Sequence, residues 1–86
     1  MQLCGVHIPD TAQEAENSGW KHLGMRAQAL APSNCHFRKD PRSVKPGDLC
    51  DAVVHEQGGT DATYCDENQH CTIGYFRDTP PRLATE

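Results

Sequence analysis

The amino-acid sequence predicts a mainly β (or α+β) domain: a small curled antiparallel sheet or SH3-like barrel of five to six short strands, with one short N-terminal helix. Three observations carry that prediction. Apolar and polar residues alternate through several short runs, as half-buried strands require. Clusters of Gly, Pro, Asn and Asp separate these runs at close intervals, as tight turns do. The clearest helix-start signal follows Asp10 and is answered by a stop signal a few residues on.

Gln2 to Ile8 alternates, with Cys4, Val6 and Ile8 on one side and Leu3, Gly5 and His7 on the other, and Pro9 ends it as a strand. Thr11 followed by Glu14 is a capping box that starts a helix at Ala12, and Asn17-Ser18-Gly19 ends it. Ala12 and Ala15 are its only apolar residues, so weak anchoring is expected. Trp20 to Ala31 fits two periods. Trp20, Leu23, Ala27 and Leu30 make a helical stripe, whereas Leu23, Met25, Ala27 and Ala29 share one face of a strand. Gly24 costs a helix more than it costs a bulged strand, which favours the strand.

Cys35 to Arg38 reads as another short strand and Lys39 to Ser43 as a solvated loop. In Lys45-Pro46-Gly47-Asp48, Pro suits the first central position of a type II turn and Gly takes the positive φ of the second. Leu49 to Glu56 follows as a strand with Cys50, Ala52 and Val54 on one face. Gln57 to Asp61 is a hairpin loop and Ala62 to Cys65 the returning strand. A turn at Asp66 to Gln69 leads into Cys71 to Arg77, with Cys71, Ile73 and Tyr75 on one face. Pro80 and Pro81 cannot continue a sheet, so residues 1–78 form a single compact domain and 79–86 an extended or disordered tail.

The apolar core is thin. Val, Ile, Leu and Phe together number thirteen of 86 residues, below the roughly 20% at which disorder becomes a concern. A net charge of only −4 and the clustering of apolar residues into alternating runs argue for a folded chain. A domain of this size buries only about 60% of its unfolded surface, so a metal, disulfides or a partner subunit is expected to supplement the core.

Charge and hydropathy exclude some functions. Twelve acidic residues against eight Lys and Arg disfavour a nucleic-acid groove, whose footprint is basic. Arg38, Lys39 and Arg42 form one small basic cluster, but Asp40 and Asp48 lie in the same segments. No apolar run approaches the roughly 20 residues of a membrane span. The opening residues show neither a basic leader nor a long apolar stretch, so no signal peptide is expected and a cytoplasmic protein is the default.

Five Cys and five His raise the question of a metal site. The best zinc set is Cys50, Cys65, His70 and Cys71, with the Cys65–Cys71 turn as a knuckle and His55 or Cys35 as substitutes. No Cys-x2-Cys spacing supports it. The favoured reading is that the cysteines are small buried hydrophobes, since Cys4, Cys50 and Cys71 each share a strand face with apolar residues. An odd count leaves at least one thiol unpaired in a monomer, and Cys65–Cys71, flanking one turn, is the favoured bridge in an oxidising compartment.

Enzymatic signals are sparse. Cys35 and His36 are adjacent and therefore on opposite faces of a strand, as are Cys50 and His55 by parity. Gly58-Gly59 lacks the Lys-Ser/Thr and the helix of a phosphate-binding loop. The sequence therefore points to a small non-enzymatic binding or assembly module, self-associating to supplement its core. Trp20, Tyr64, Tyr75 and Phe76 are its expected contact residues. The alternatives are a protein with a structural zinc site and a small enzyme whose pocket is built at an oligomer interface.

Overall fold

The structure is a computed structural model that describes residues 1–24 and 33–81. Its elements are β1 (Gln2–Leu3), β2 (Val6–His7), α1 (Ala12–Asn17), β3 (Lys21–Gly24), β4 (Ser33–Arg38), a 3-10 turn (Pro41–Ser43), β5 (Leu49–His55), β6 (Thr60–Cys65) and β7 (Cys71–Arg77). β1 and β2 form a two-stranded hairpin, and the other five strands form one antiparallel sheet in the order β3-β7-β6-β5-β4. The mainly β class is as expected. The closed barrel is not: among the described residues β3 and β4 stand at opposite ends of the strand order and no pairing joins them. The N-terminal arm and α1 cover one face of the sheet with Ile8, Ala15 and Trp20.

Local chemistry accounts for each element. The run expected as one strand from Gln2 is split by a turn at Cys4 and Gly5, whose φ values of 50° and 77° are both left-handed. Two such residues in succession suit a two-residue hairpin connection. Thr11 caps α1, its hydroxyl accepting the Glu14 N–H at 3.1 Å, and the Glu14 carboxylate reaches back to the Asp10 N–H at 3.3 Å. Gly19 at φ 85° ends the helical path. Ala15 is fully buried, so this six-residue helix is anchored by one small side chain and by the Trp20 that follows it. The strand preference for Trp20 to Ala31 holds over Lys21–Gly24, and the rest of that stretch lies outside the described residues. The Pro46-Gly47 turn forms as expected, with Gly47 at φ 93° and the Asp48 N–H donating to the Lys45 carbonyl at 3.0 Å. The expected loop at Lys39 to Ser43 contains the 3-10 turn, capped by the Asp40 carboxylate on the Arg42 N–H at 3.0 Å.

In β5 every residue is buried. Register gives its two faces different partners. Ala52 lies opposite Ala62 of β6, and Leu49 opposite Tyr64, facing the core under the N-terminal arm. A register shift between Leu49 and Asp51 displaces Cys50 from the face that simple alternation assigned to it. The β5–β6 connection turns through Gly58 and Gly59, at φ 102° and 92°. A Cβ at Gly59 would stand 2.8 Å from the Phe76 ring, so both backbone and packing call for glycine there. β7 spans Cys71–Arg77, as read from the sequence. Beyond it, the Gly59 N–H donates to the Thr79 carbonyl at 3.0 Å, which ties residue 79 to the hairpin; residues 82–86 lie outside the described residues.

The core consists of Ile8, Ala15, Trp20, Leu49, Ala52, Ala62, Tyr64 and Tyr75. Tyr64 is fully buried, meets Tyr75 edge-on at 5.7 Å between ring centres, and donates its hydroxyl to the Pro9 carbonyl at 2.8 Å. Two disulfides add to this small core: Cys4–Cys35 ties the β1–β2 turn to β4, and Cys50–Cys71 ties β5 to β7. The Cα separations, 6.2 and 6.0 Å, lie in the usual range. β6 lies between β5 and β7 in the sheet, so a 6.0 Å approach of Cys50 to Cys71 requires strong curl at that end, where the bulges at Leu49/Asp51 and Tyr64/Cys65 lie.

Burial, reinforced by Glu14, Asp10 and Tyr75, pushes the Tyr64 hydroxyl pKa well above its ordinary value. The unfolded chain therefore loses this proton first, and stability present at neutral pH should decline as pH rises above about 10. Tyr64→Phe leaves the Pro9 carbonyl without its donor, so urea denaturation should show a loss of about 1–3 kcal/mol at pH 7 and a shallower decline in alkali; an unchanged midpoint refutes the role given to this bond. Closing loops of 31 and 21 residues, each disulfide should stabilise by about 3–4 kcal/mol. Reducing agent should lower Tm by roughly 10 °C or more, and identical melting curves with and without reductant would contradict the stapled core.

Candidate functional site

The four residues of the expected zinc set lie at one end of the sheet without converging. Cys50 and Cys71 are bonded to each other, so neither offers a thiolate. The Cys65 thiol is directed at the Asp66 and Pro41 carbonyls, at 3.6 and 3.9 Å. The His70 imidazole is exposed, its Nδ1 4.0 Å from the Asp66 carboxylate. The substitutes are engaged too, Cys35 with Cys4 and His55 with Asp61. Among the described residues no three His, Cys, Asp or Glu side chains are grouped to hold a metal ion.

The expectation of buried free thiols is corrected for four of the five cysteines. Cys65 and Cys71 do face each other in register, as the bridge proposed for them requires. Cys71 is nevertheless paired with Cys50, which the bulge in β5 brings within reach. Cys65 is the free cysteine and is fully buried. Burial pushes its thiol pKa up, and Asp66 and Asp48 add to the shift, so at neutral pH it is a protonated and poor nucleophile.

The expected contact aromatics also have other work. Trp20, Tyr64 and Tyr75 are buried in the core, and Phe76 is half-buried with its ring against Gly59. The only exposed large hydrophobic residue among those described is Leu23 on β3. A thin core draws in its large aromatic side chains because they bury the most area per residue.

On the opposite face of the sheet are two His–Asp pairs that the sequence reading did not find. His36 Nε2 is 2.9 Å from Asp51, and His55 Nε2 is 2.8 Å from Asp61. Arg38 Nε approaches Asp51 at 3.9 Å. Strand parity could have revealed the first half of this pattern, since Asp51, Val53 and His55 alternate along β5; pairing with Asp61 depends on hairpin register. Carboxylates orient imidazoles in this way at catalytic and metal sites. Here His55 and Asp61 are closed to solvent, their side chains 7% and 6% exposed, and His55 Nδ1 is buried without a hydrogen-bond partner.

An open concavity of about 340 Å³ lies where the N-terminal arm meets the ends of β4 and β5. The Leu49 N–H donates to the Asp10 carbonyl at 2.9 Å and the Ala12 N–H to the Gly47 carbonyl at 2.8 Å, which lays residues 10–12 along 47–49. The Lys39 N–H donates to the Cys50 carbonyl at 2.9 Å, which extends β4 by one residue along this wall. Gln69, itself at φ 65°, donates through Nε2 to the Pro41 and Val44 carbonyls at 2.7 and 2.8 Å and pins the loop that forms the rim. Phe37, Val44 and Leu49 supply apolar lining, and Lys39, Asp10 and Asp48 supply charge. Among the described residues, the Lys39 and Asp48 side chains have neither an ion-pair nor a hydrogen-bond partner. No linear motif marks this site, because its lining comes from four separate stretches of chain.

Comparison with protein-family models, with curated proteins and with solved structures finds no match for this chain. None of the described helices is long and apolar enough to cross a membrane.

The thiol chemistry is directly testable. One thiol per chain should react with a thiol reagent, and only after unfolding, because Cys65 is the free cysteine and is shielded. Rapid labelling of the folded protein, or the appearance of three or more thiols without reductant, would contradict these assignments.

Proposed function

We propose that this protein is a small non-enzymatic binding module, stapled by two disulfides, that takes its ligand in the concavity between the N-terminal arm, β4 and β5. The observation that carries this reading is a pair of opposite charges, Lys39 and Asp48, that have no partner among the described residues and stand on the wall of a partly apolar pocket. Apolar surface with a few fixed polar groups is the composition of ligand sites generally. A volume of about 340 Å³ suits a small ligand. The enzymatic alternative has its best support in His55 and Asp61, and their burial argues against it.

Two disulfides favour an oxidising compartment over the cytoplasm expected from the sequence, because reducing cytosol keeps such thiols unpaired. They also supply the supplement to a thin core for which a metal, disulfides or a partner subunit was expected. Binding through this pocket is therefore compatible with a single chain.

Amide chemical shifts measured by NMR during titration with a fragment set of acids, bases, zwitterions and neutral amides would test the site. Shifts should cluster on residues 37–49 and on Asp10 and Thr11. Shifts confined to the His36–Asp51 face, or none at all, would overturn the assignment.

A further inference from the structure

Resting on the proposed pocket, its charge arrangement narrows the ligand to one chemical class. We propose that the pocket binds a small zwitterion with an aliphatic body, of the α-amino acid class: an ammonium beside Asp48, a carboxylate beside Lys39, and the aliphatic side chain over Phe37, Val44 and Leu49.

The lining carries both signs of charge: the Met1 ammonium and the Asp10 carboxylate pair with each other at 3.1 Å, which leaves Lys39 on the β4 side and Asp48 at the Pro46-Gly47 turn. Were these two side chains paired with each other, the pocket would be a neutral, self-satisfied surface. They are not, and no other described side chain pairs with either. A cationic ligand would leave Lys39 unmatched and place like charge beside it, and an anionic ligand would do the same at Asp48. A zwitterion satisfies both at once, and charge-assisted hydrogen bonds of this kind are stronger than neutral ones.

The rest of the lining selects for an apolar body extending from the charged end. Leu49 is 7% exposed and belongs to the core, so it is held in place by packing, while Phe37 and Val44 are half-buried around it. The floor is therefore anchored to the sheet, which limits the ordering cost of binding. The rim is held separately by Gln69 on the Pro41 and Val44 carbonyls. At about 340 Å³, at the low end for ligand pockets, the site fits a free amino acid better than a drug-sized ligand.

The test uses three probes that differ only in charge: L-leucine, leucinamide, which lacks the carboxylate, and 4-methylpentanoate, which lacks the ammonium. Titrations followed by amide shifts should move Lys39, Val44, Asp48 and Leu49, with leucine binding about tenfold more tightly than either analogue. Lys39→Ala should erase the advantage of leucine over leucinamide, and Asp48→Asn its advantage over 4-methylpentanoate. The Lys39 side chain is exposed, so that variant should fold like the wild type, as its unperturbed amide spectrum away from the pocket will report. If an analogue shifts the same amides and binds as tightly as leucine, the zwitterion assignment is overturned while the pocket stands. If none of the three moves the pocket amides but another fragment does, the ligand class is again wrong. If no compound does, the pocket itself falls with it.

Discussion

The hydroxyl of Tyr64 must find an acceptor, because the ring that carries it is fully buried. It finds the Pro9 carbonyl, 55 residues away in the chain, and much of the architecture depends on that bond. The N-terminal arm is thereby held across one face of the sheet, with Ile8 inside. Asp10 to Ala12 then lie alongside Gly47 to Leu49 and complete that edge with two further backbone hydrogen bonds. The same juxtaposition makes one wall of the pocket. Fold and candidate site thus depend on the same contact, and a chain unable to dock its arm would lose both.

That contact operates within a core of very few large side chains. Trp20, Tyr64 and Tyr75 supply most of its bulk, and Ala15, Ala52 and Ala62 allow close approach between them. Aromatic residues that a larger domain could display at its surface are consumed here in the interior. Cross-links take up the remaining burden by limiting the freedom of the unfolded chain. Their placement is economical: one fixes the turn of the N-terminal hairpin to an end strand, and the other ties β5 to β7 at the end of the sheet where the bulges lie. Only Cys65 remains outside them, kept protonated by burial and by the carboxylates nearby.

The two faces of β5 show how one strand can serve different chemistries. Leu49 and Ala52 join the apolar core, while Asp51 and His55 enter hydrogen-bonded pairs on the other side. The His–Asp pairs satisfy polar groups that central strands would otherwise bury at a cost. His55 Nδ1 is the exception, a buried ring nitrogen with no hydrogen-bond partner among the described residues. Its shielding separates it from the open pocket, where Lys39 is exposed and Asp48 half-buried.

Local order was largely legible in the residues themselves. The capping box at Thr11 and Glu14, the exit at Gly19, the Pro46-Gly47 turn and the extent of β7 follow from interactions a few residues long, and the structure contains them all. Alternation identified strands but misassigned Cys50, because a bulge adds one residue to one strand and resets parity beyond it. It likewise read a single strand across Cys4 and Gly5, where left-handed backbone turns the chain back. Which cysteines join, which aromatics are buried, and which charges remain unpaired were decided by tertiary structure alone. Each depends on register and on the docking of segments tens of residues apart, and these long-range constraints leave no fixed spacing in the sequence.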